Sequence, residues 1–139
     1  MWEGANKTHH KNFPDSEIYQ MSVGDFVMEM GEKTSPLMYV DILHLSPPCQ
    51  YWSPAHTKEG KDDEKNIAAL FSVMATLEIV KPRIATLEQT FGIRSFPLVL
   101  NTVINMFTSL GYSIRWSIVQ LANYGLPQTR QRLLVIAAA

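Results

Sequence analysis

The segment VDILHLSPPCQ, residues 40–50, decides how the rest of the chain is interpreted. Its first six residues are mostly apolar, a composition that is typical of a buried strand. The strand must end at Ser46, because the two prolines that follow cannot stay in a central hydrogen-bonded ladder. We therefore expect a buried strand over residues 40–45 and, directly after it, a stiff corner that presents Cys49.

Short apolar runs and helical patterns alternate along the rest of the chain. The short runs predict strands over residues 18–21, 84–87, 112–119 and 132–137. Apolar residues at helical spacing predict helices over residues 23–30, 66–80 and 96–110. Ser22 and Ser95 are the expected N-caps, and Gly31, Pro82 and Gly111 are the expected stops. This order predicts an α/β protein with an open, mainly parallel sheet.

The composition is that of one domain with a hydrophobic core. The chain has 139 residues, of which 46% are apolar and 18% are charged, and this argues against a disordered or coiled-coil protein. The net charge of −1 gives no general attraction to nucleic acid, so any such binding would have to be local.

The sequence carries no sign of a membrane span, an export signal or a metal site. No run approaches the roughly 18 apolar residues that a span requires, and the N-terminal stretch lacks the apolar segment of a secretory signal. The single cysteine excludes an internal disulfide, and the four histidines have no cysteine or carboxylate at metal-ligand spacing. We therefore expect a reducing, intracellular setting without membrane or metal.

Two polar elements follow strands of the predicted sheet, at the carboxyl ends where open α/β sheets bind their ligands. Cys49 follows one strand, and the prolines before it would fix the direction of its thiol, which suits a nucleophile. Taken alone, a single cysteine is more often a small buried apolar residue. Glu88 follows the next strand and could hold or deliver a proton in a partly desolvated cleft, or serve as a solvated loop carboxylate.

Two further pairs of residues are compatible with more than one role. Arg130 and Arg132 would share a face of an extended segment and could clamp a carboxylate, a phosphate or a polar ring edge, or form a surface ion pair. Tyr51 and Trp52 suit the core and the wall of a base pocket equally well.

Three of these elements, in this order and spacing, resemble the motifs of the cytosine-5 DNA methyltransferases. SPPCQYWS (residues 46–53) resembles the nucleophile motif of that family, usually Gly-Pro-Pro-Cys-Gln-x-Phe-Ser. EQT (residues 88–90) stands where the family carries Glu-Asn-Val, and YGLPQTRQR (residues 124–132) is similar to Tyr-Gly-x-Pro-Gln-x-Arg-x-Arg. The resemblance spans nearly the whole chain.

The chain departs from the family pattern at several of these positions. Ser46 replaces a glycine, and Trp52 replaces a phenylalanine. Gln89 and Thr90 replace Asn-Val, a variant that resembles the fungal branch linked to de novo methylation and repeat silencing. Ser22 stands where many members carry an aspartate that contacts the cofactor adenine.

The resemblance implies a partial Rossmann-like sheet of the S-adenosylmethionine-dependent methyltransferases, with flanking helices and with its first strands missing. Residues 1–139 would be the central part of a catalytic domain that is incomplete at both ends. The glycine-rich cofactor loop would precede them, and the target-recognition region would follow. The missing strands would leave a gap at the centre of the sheet, and we expect the fragment alone to be inactive.

The implied activity is transfer of a methyl group from S-adenosylmethionine to C5 of a cytosine that is flipped out of double-stranded DNA. Cys49 would add to C6 of the base, and Glu88 would hold N3. The residues that the resemblance places in the site are, for catalysis, Cys49, Glu88, Arg130 and Arg132; for the cofactor, Ser22, Pro48 and Leu70; and for nucleic acid, Gln50 and Ser53. The implied location is the nucleus in a eukaryote and the cytoplasm otherwise.

Three alternatives remain open from the sequence. The chain could derive from an RNA cytosine-5 methyltransferase, or it could be an inactive fragment or pseudo-enzyme that only binds partners. A hydrolase with a Cys–His pair would need a histidine near Cys49. His44 and His56 flank it, but neither has a defined orienting partner in the sequence. The oligomeric state is not predicted.

Overall fold

The computed structural model describes residues 3–32, 40–53, 56–58, 60–61 and 63–139. The helices in these ranges are α1 (Glu3–Asn12), α2 (Val23–Glu32), α3 (Asp63–Phe71), α4 (Val73–Val80) and α5 (Pro97–Thr108). The strands are β1 (Ile42–Leu45), β2 (Ile84–Thr90), β3 (Ser113–Gln120) and β4 (Gln131–Ala138). Two 3₁₀ helices, Phe91–Ser95 and Leu121–Tyr124, connect strands to the elements that follow them.

The described strands form one open sheet in the order β1-β2-β4-β3. β1 pairs with β2 in parallel, whereas β4 is antiparallel to both β2 and β3. Therefore β1, β2 and β3 run in one direction, and β4 runs against them. The α/β class and the open sheet are confirmed. Pairing is more antiparallel than expected, because the short connection after β3 returns the chain beside it instead of crossing over a helix.

The core lies on one face of the sheet, beneath α3, α4 and α5. Alternate residues of the central strands point into it, and each is almost fully buried: Ala85, Leu87, Leu133, Val135 and Ala137. The helices contribute Leu70, Val73, Leu77, Val103 and Phe107 to the same cluster. The opposite face is far less covered, since Ile42, Ile84 and Ile136 keep 65%, 41% and 57% of their surface exposed.

Helix ends follow several of the predicted local signals. Ser22 caps α2, because its Oγ accepts a hydrogen bond from the backbone N–H of Asp25 at 3.0 Å. α4 ends at Val80, and its C-cap residue Lys81 has a left-handed φ of 46° immediately before Pro82. Gly111 follows the end of α5 with a φ of 88°, a value that suits a residue without a Cβ. Within the described ranges, no helix combines the length and hydropathy needed to cross a bilayer.

Other expected helix boundaries are corrected. The helix predicted over residues 66–80 is divided into α3 and α4 at Ser72, whose hydroxyl donates to the carbonyl of Ala69 at 2.7 Å. Such a side-chain bond back to the helix competes with the regular ladder. α2 continues through Gly31 to Glu32, and α5 begins at Pro97 because Ser95 belongs to the preceding 3₁₀ helix. α1 was not predicted.

Two strand predictions are also corrected. Residues 18–21 form no strand, and the ring of Tyr19 in this segment packs against Phe26 of α2 at a centroid distance of 5.4 Å. β1 is shorter than expected and is not buried, because it lies at the edge of the described sheet and only β2 pairs with it.

Burial on the helical face predicts which leucines stabilise the fold. Leu77 of α4 is 1% exposed, whereas Leu98 of α5 is 81% exposed. We expect Leu77→Ala to lower the free energy of unfolding by about 2–5 kcal/mol, because it leaves a cavity in the core. The matched Leu98→Ala change should stay within about 0.5 kcal/mol. Urea denaturation of both variants tests this, and equal losses would contradict the described core.

Candidate active site

The parallel pairing of β1 and β2 places two polar elements at the same end of the sheet, where both strands finish. Leu45 pairs with Leu87, so the chain leaves β1 beside the point where Glu88 stands in β2. The hydroxyl of Ser46 donates a hydrogen bond to Oε2 of Glu88 at 3.1 Å. The loop that carries Cys49 and the acidic end of β2 are therefore neighbours.

An arginine from β4 reaches the same carboxylate. Nε of Arg132 lies 2.6 Å from Oε1 of Glu88, and the two side chains are 17% and 24% exposed. The contact is an ion pair rather than an aligned hydrogen bond, because Nε has no partner in a suitable direction. Arg132 pairs with Thr90 across the ladder, and this register places its side chain diagonally beside Glu88 on one face of the sheet.

The structure separates the two arginines of the YGLPQTRQR segment. Arg130 lies in the irregular stretch before β4 and is exposed. It makes no ion pair with any residue in the described ranges, in contrast to Arg132. The shared face expected for these arginines requires an extended segment, and that segment begins only at Gln131.

Gln89 attaches the Cys49 loop to β2 through a contact on the opposite face of the strand from Glu88. Its side chain is fully buried, and its Nε2 donates to the carbonyl of Pro47 at 3.4 Å. Its Oε1 accepts a hydrogen bond from the backbone N–H of Thr90 at 2.8 Å. From the sequence, Gln89 and Ser46 are only departures from a family pattern, and neither has a predicted role.

Cys49 is half-buried and is not in a disulfide. It lies between the loop that Gln89 and Ser46 attach to β2 and a turn in which the N–H of Ser53 donates to the carbonyl of Gln50 at 3.2 Å. Gln50 is exposed and Ser53 is half-buried.

Tyr51 and Trp52 serve both the core and a cavity wall. Trp52 is 3% exposed and belongs to the core cluster, and its ring meets Tyr51 and Phe96 edge to face at centroid distances of 4.7 Å and 5.2 Å. The same three rings line an open cavity of about 620 Å³. The core interpretation is confirmed, whereas the wall of a base pocket stays a prediction.

Both histidines near Cys49 have partners elsewhere. Nε2 of His56 lies 2.9 Å from Oδ2 of Asp63, and Nδ1 of His44 lies 2.8 Å from Oγ1 of Thr86. No hydrogen bond joins either ring to Cys49 in the part of the chain that the structure describes. The geometry thus gives a Cys–His hydrolase no support. Among the described residues, no group of three or more His, Cys, Asp or Glu is arranged to hold a metal ion.

A second cavity, of about 310 Å³, lies between α2, the corner after β1 and the α3–α4 helices. Pro48 lines it, as do residues that the sequence analysis did not single out: Val23, Phe26, Leu45, Ala69 and Val73. Ser22 caps the helix that supplies part of this wall. Leu70 is fully buried in the core and is not among the described lining residues, because its neighbour Ala69 occupies the cavity side of α3.

The fold matches that of solved methyltransferases. A DNA modification methyltransferase encoded within a prophage of E. coli superposes with a TM-score of 0.72 at 23% identity, over 99% of this chain and 38% of that chain. The methyltransferase EhMeth of Entamoeba histolytica gives a TM-score of 0.65 at 22% identity, over 99% of this chain and 42% of that chain.

The chain belongs to the C-5 cytosine-specific DNA methylase family, whose sequence model matches residues 1–139. The type II methyltransferase M.HpaII of Haemophilus parainfluenzae is 30% identical over 96% of this chain and 37% of its own length. DNA (cytosine-5)-methyltransferase 1 of Gallus gallus is 26% identical over 100% of this chain and 10% of its own length. The family predicted from three motifs is confirmed, and the chain spans well under half the length of these relatives.

The burial of the Glu88–Arg132 pair predicts strong energetic coupling between the two side chains. In a double-mutant cycle of Glu88→Gln and Arg132→Gln, followed by urea denaturation, we expect a coupling free energy of about 1.5–3 kcal/mol. The pair Asp41–Arg83 is the control, because its charged atoms are 3.5 Å apart and its side chains are 75% and 71% exposed. Its coupling should be about 1 kcal/mol or less. Equal coupling in both cycles would contradict the described site.

Proposed function

We propose that the protein containing this chain transfers a methyl group from S-adenosylmethionine to C5 of cytosine in DNA, through a covalent bond between Cys49 and C6. The observation that carries the proposal is the carboxylate of Glu88, which lies between Arg132 and Ser46 at the edge of the sheet where the Cys49 loop begins. Membership of the cytosine-5 DNA methylases supports the same reaction.

Cys49 is the nucleophile in this proposal. C5 of cytosine is a poor nucleophile, so the thiolate first bonds to C6, and the electrons of the C5–C6 double bond become available at C5. After C5 is methylated, a base removes the C5 proton, the double bond re-forms and the bond from sulfur to C6 breaks. The proline corner and the turn over residues 50–53 support this role, because they constrain the backbone on both sides of the thiol.

Glu88 holds N3 of the base while negative charge builds on the ring. A proton donated or shared at N3 lowers the energy of the adduct, and it must come from a group whose position is already set. Arg132 lies 2.6 Å from Oε1 of Glu88 and would hold the carboxyl group in place. The exposure of Arg130 just before β4 is consistent with a role in orienting the base.

The cavity of about 310 Å³ supports a site for S-adenosylmethionine. Its volume is in the range of small-molecule sites, and the ring of Phe26 and the apolar surface of Pro48 suit a flat heteroaromatic group such as adenine. When bound, S-adenosylmethionine supplies the electrophilic methyl group. Val23, Ala69 and Val73 would exclude water from the adenine, and Ser22 would act by holding the start of α2.

Double-stranded DNA is the proposed partner, with the target cytosine turned out of the stack so that the thiol can reach C6. Gln50 and Ser53, which flank the turn after Cys49, would contact the nucleotide and its phosphate. The overall charge of −1 gives no attraction to DNA, so these contacts must be local. The protein would be located where its DNA substrate is, in the nucleus of a eukaryote or the cytoplasm of a bacterium.

A mechanism-based trap tests the role of Cys49. The full-length gene product is incubated with S-adenosylmethionine and duplex DNA that contains 5-fluorocytosine. We expect an adduct that survives denaturation, because fluorine replaces the C5 proton and the bond from Cys49 to C6 cannot break. Cys49→Ser should abolish the adduct, and gel electrophoresis in denaturant measures it. No adduct from a folded wild-type protein would contradict the proposal, and an adduct only with 5-fluorocytosine RNA would move the substrate to RNA.

The proposed role of Glu88 at N3 predicts that Glu88→Gln lowers the rate of methyl transfer without weakening DNA binding. The amide keeps the shape of the side chain but cannot share an acidic proton, so we expect kcat to fall at least about 100-fold. The Kd for duplex DNA should change less than about threefold, because the phosphate contacts remain. Methyl-transfer kinetics and fluorescence anisotropy measure the two quantities. Unchanged kcat would remove Glu88 from its proposed role.

A further inference from the structure

We infer that Ser46 is a positioning residue for Glu88: its hydroxyl holds Oε2 of the carboxylate, so that both oxygens are fixed before a base enters. The inference rests on the proposed function, because it concerns how Glu88 is prepared for that reaction. It gives a role to Ser46, a position at which the chain departs from the family pattern and for which that pattern assigns none.

The two carboxylate oxygens of Glu88 are contacted by side chains from two different parts of the fold. Ser46 donates to Oε2 at 3.1 Å from the corner after β1, and Arg132 of β4 lies 2.6 Å from Oε1. The terminal torsion of a glutamate side chain is otherwise broad. A carboxylate held at one oxygen can still turn about its last bond, whereas one held at both oxygens keeps its plane.

The position of Ser46 depends on backbone contacts that leave it little freedom. The ladder from Ile42 to Leu45 runs beside β2 and ends one residue before Ser46. One residue further on, the carbonyl of Pro47 accepts a hydrogen bond from buried Gln89 on the other face of β2. The corner is therefore attached to β2 on both faces, by Ser46 on the Glu88 side and by Gln89 on the core side.

Both attachments use residues at which this chain departs from the pattern that it resembles. Glycine at position 46 would offer no hydroxyl to Glu88, and asparagine at position 89 would be one methylene shorter than the present side chain. The longer Gln89 reaches Pro47, and the added hydroxyl of Ser46 reaches Glu88. The two departures therefore act on the same few residues around Cys49.

Kinetics of the full-length gene product test the inference with Ser46→Ala, Ser46→Gly and Ser46→Thr. We expect the first two variants to lower kcat about tenfold, with KM for DNA nearly unchanged. Ser46→Thr keeps the hydroxyl and should stay within about threefold of the wild type. Ser113→Ala, an exposed serine at the start of β3, is the control and should change neither quantity.

A measurement without turnover distinguishes failure of this inference from failure of the proposed function. Carbon-13 NMR of the full-length gene product records the side-chain carboxyl signal of Glu88 at one pH, without DNA or cofactor. We expect the chemical shift of Cδ in Ser46→Ala and Ser46→Gly to differ from that in the wild type and in Ser46→Thr, because the hydroxyl that donates to Oε2 is gone. Equal chemical shifts in all four proteins would overturn the inference, whatever the enzyme assay shows. A changed chemical shift in a protein without methyl transfer would leave the Ser46–Glu88 contact established and would refute the function.

Discussion

The parallel ladder between β1 and β2 is the constraint on which the candidate site depends. It carries two segments that are 42 residues apart in sequence to one edge of the sheet and aligns Leu45 with Leu87. Two contacts of the site follow from that alignment, the bond from Ser46 to Glu88 and the approach of Gln89 to Pro47. A shift of one residue would turn Glu88 into the core and Gln89 out of it, because side chains alternate between the faces of a strand.

β4 provides the second part of the arrangement. It is the strand that runs against the others, and this direction brings the start of β4 to the end of β2. Arg132 can therefore reach Glu88 from the start of β4 rather than from a distant loop. The mixed sheet therefore determines the geometry of the candidate site: with β4 parallel to β2, Arg132 would lie at the opposite end of the strands.

Local rules predicted those features of the molecule that neighbouring residues determine. The proline corner, the cap at Ser22 and the stop at Gly111 are of this kind. The predicted end of β2 at residue 87 is wrong, because pairing with β4 extends the strand through Glu88 to Thr90. Features that depend on distant parts of the chain were not predicted. The edge position of β1 follows from strand order, and helical spacing shows an apolar face on α3 without showing that Leu70 lies on its core side. The ion pair of Glu88 with Arg132 likewise required the register of two strands.

The sparsely covered face of the sheet has a practical consequence for work with these 139 residues. Ile42, Ile84 and Ile136 form an apolar surface on that side, and β1 has one edge that no described strand pairs. A surface of this kind next to a free strand edge is a template for self-association. Isolated chains are therefore expected to become turbid as their concentration rises. Ile42→Lys is the simplest change to keep them in solution, because Ile42 lies on the edge strand opposite Ile84, four residues along β2 from Glu88.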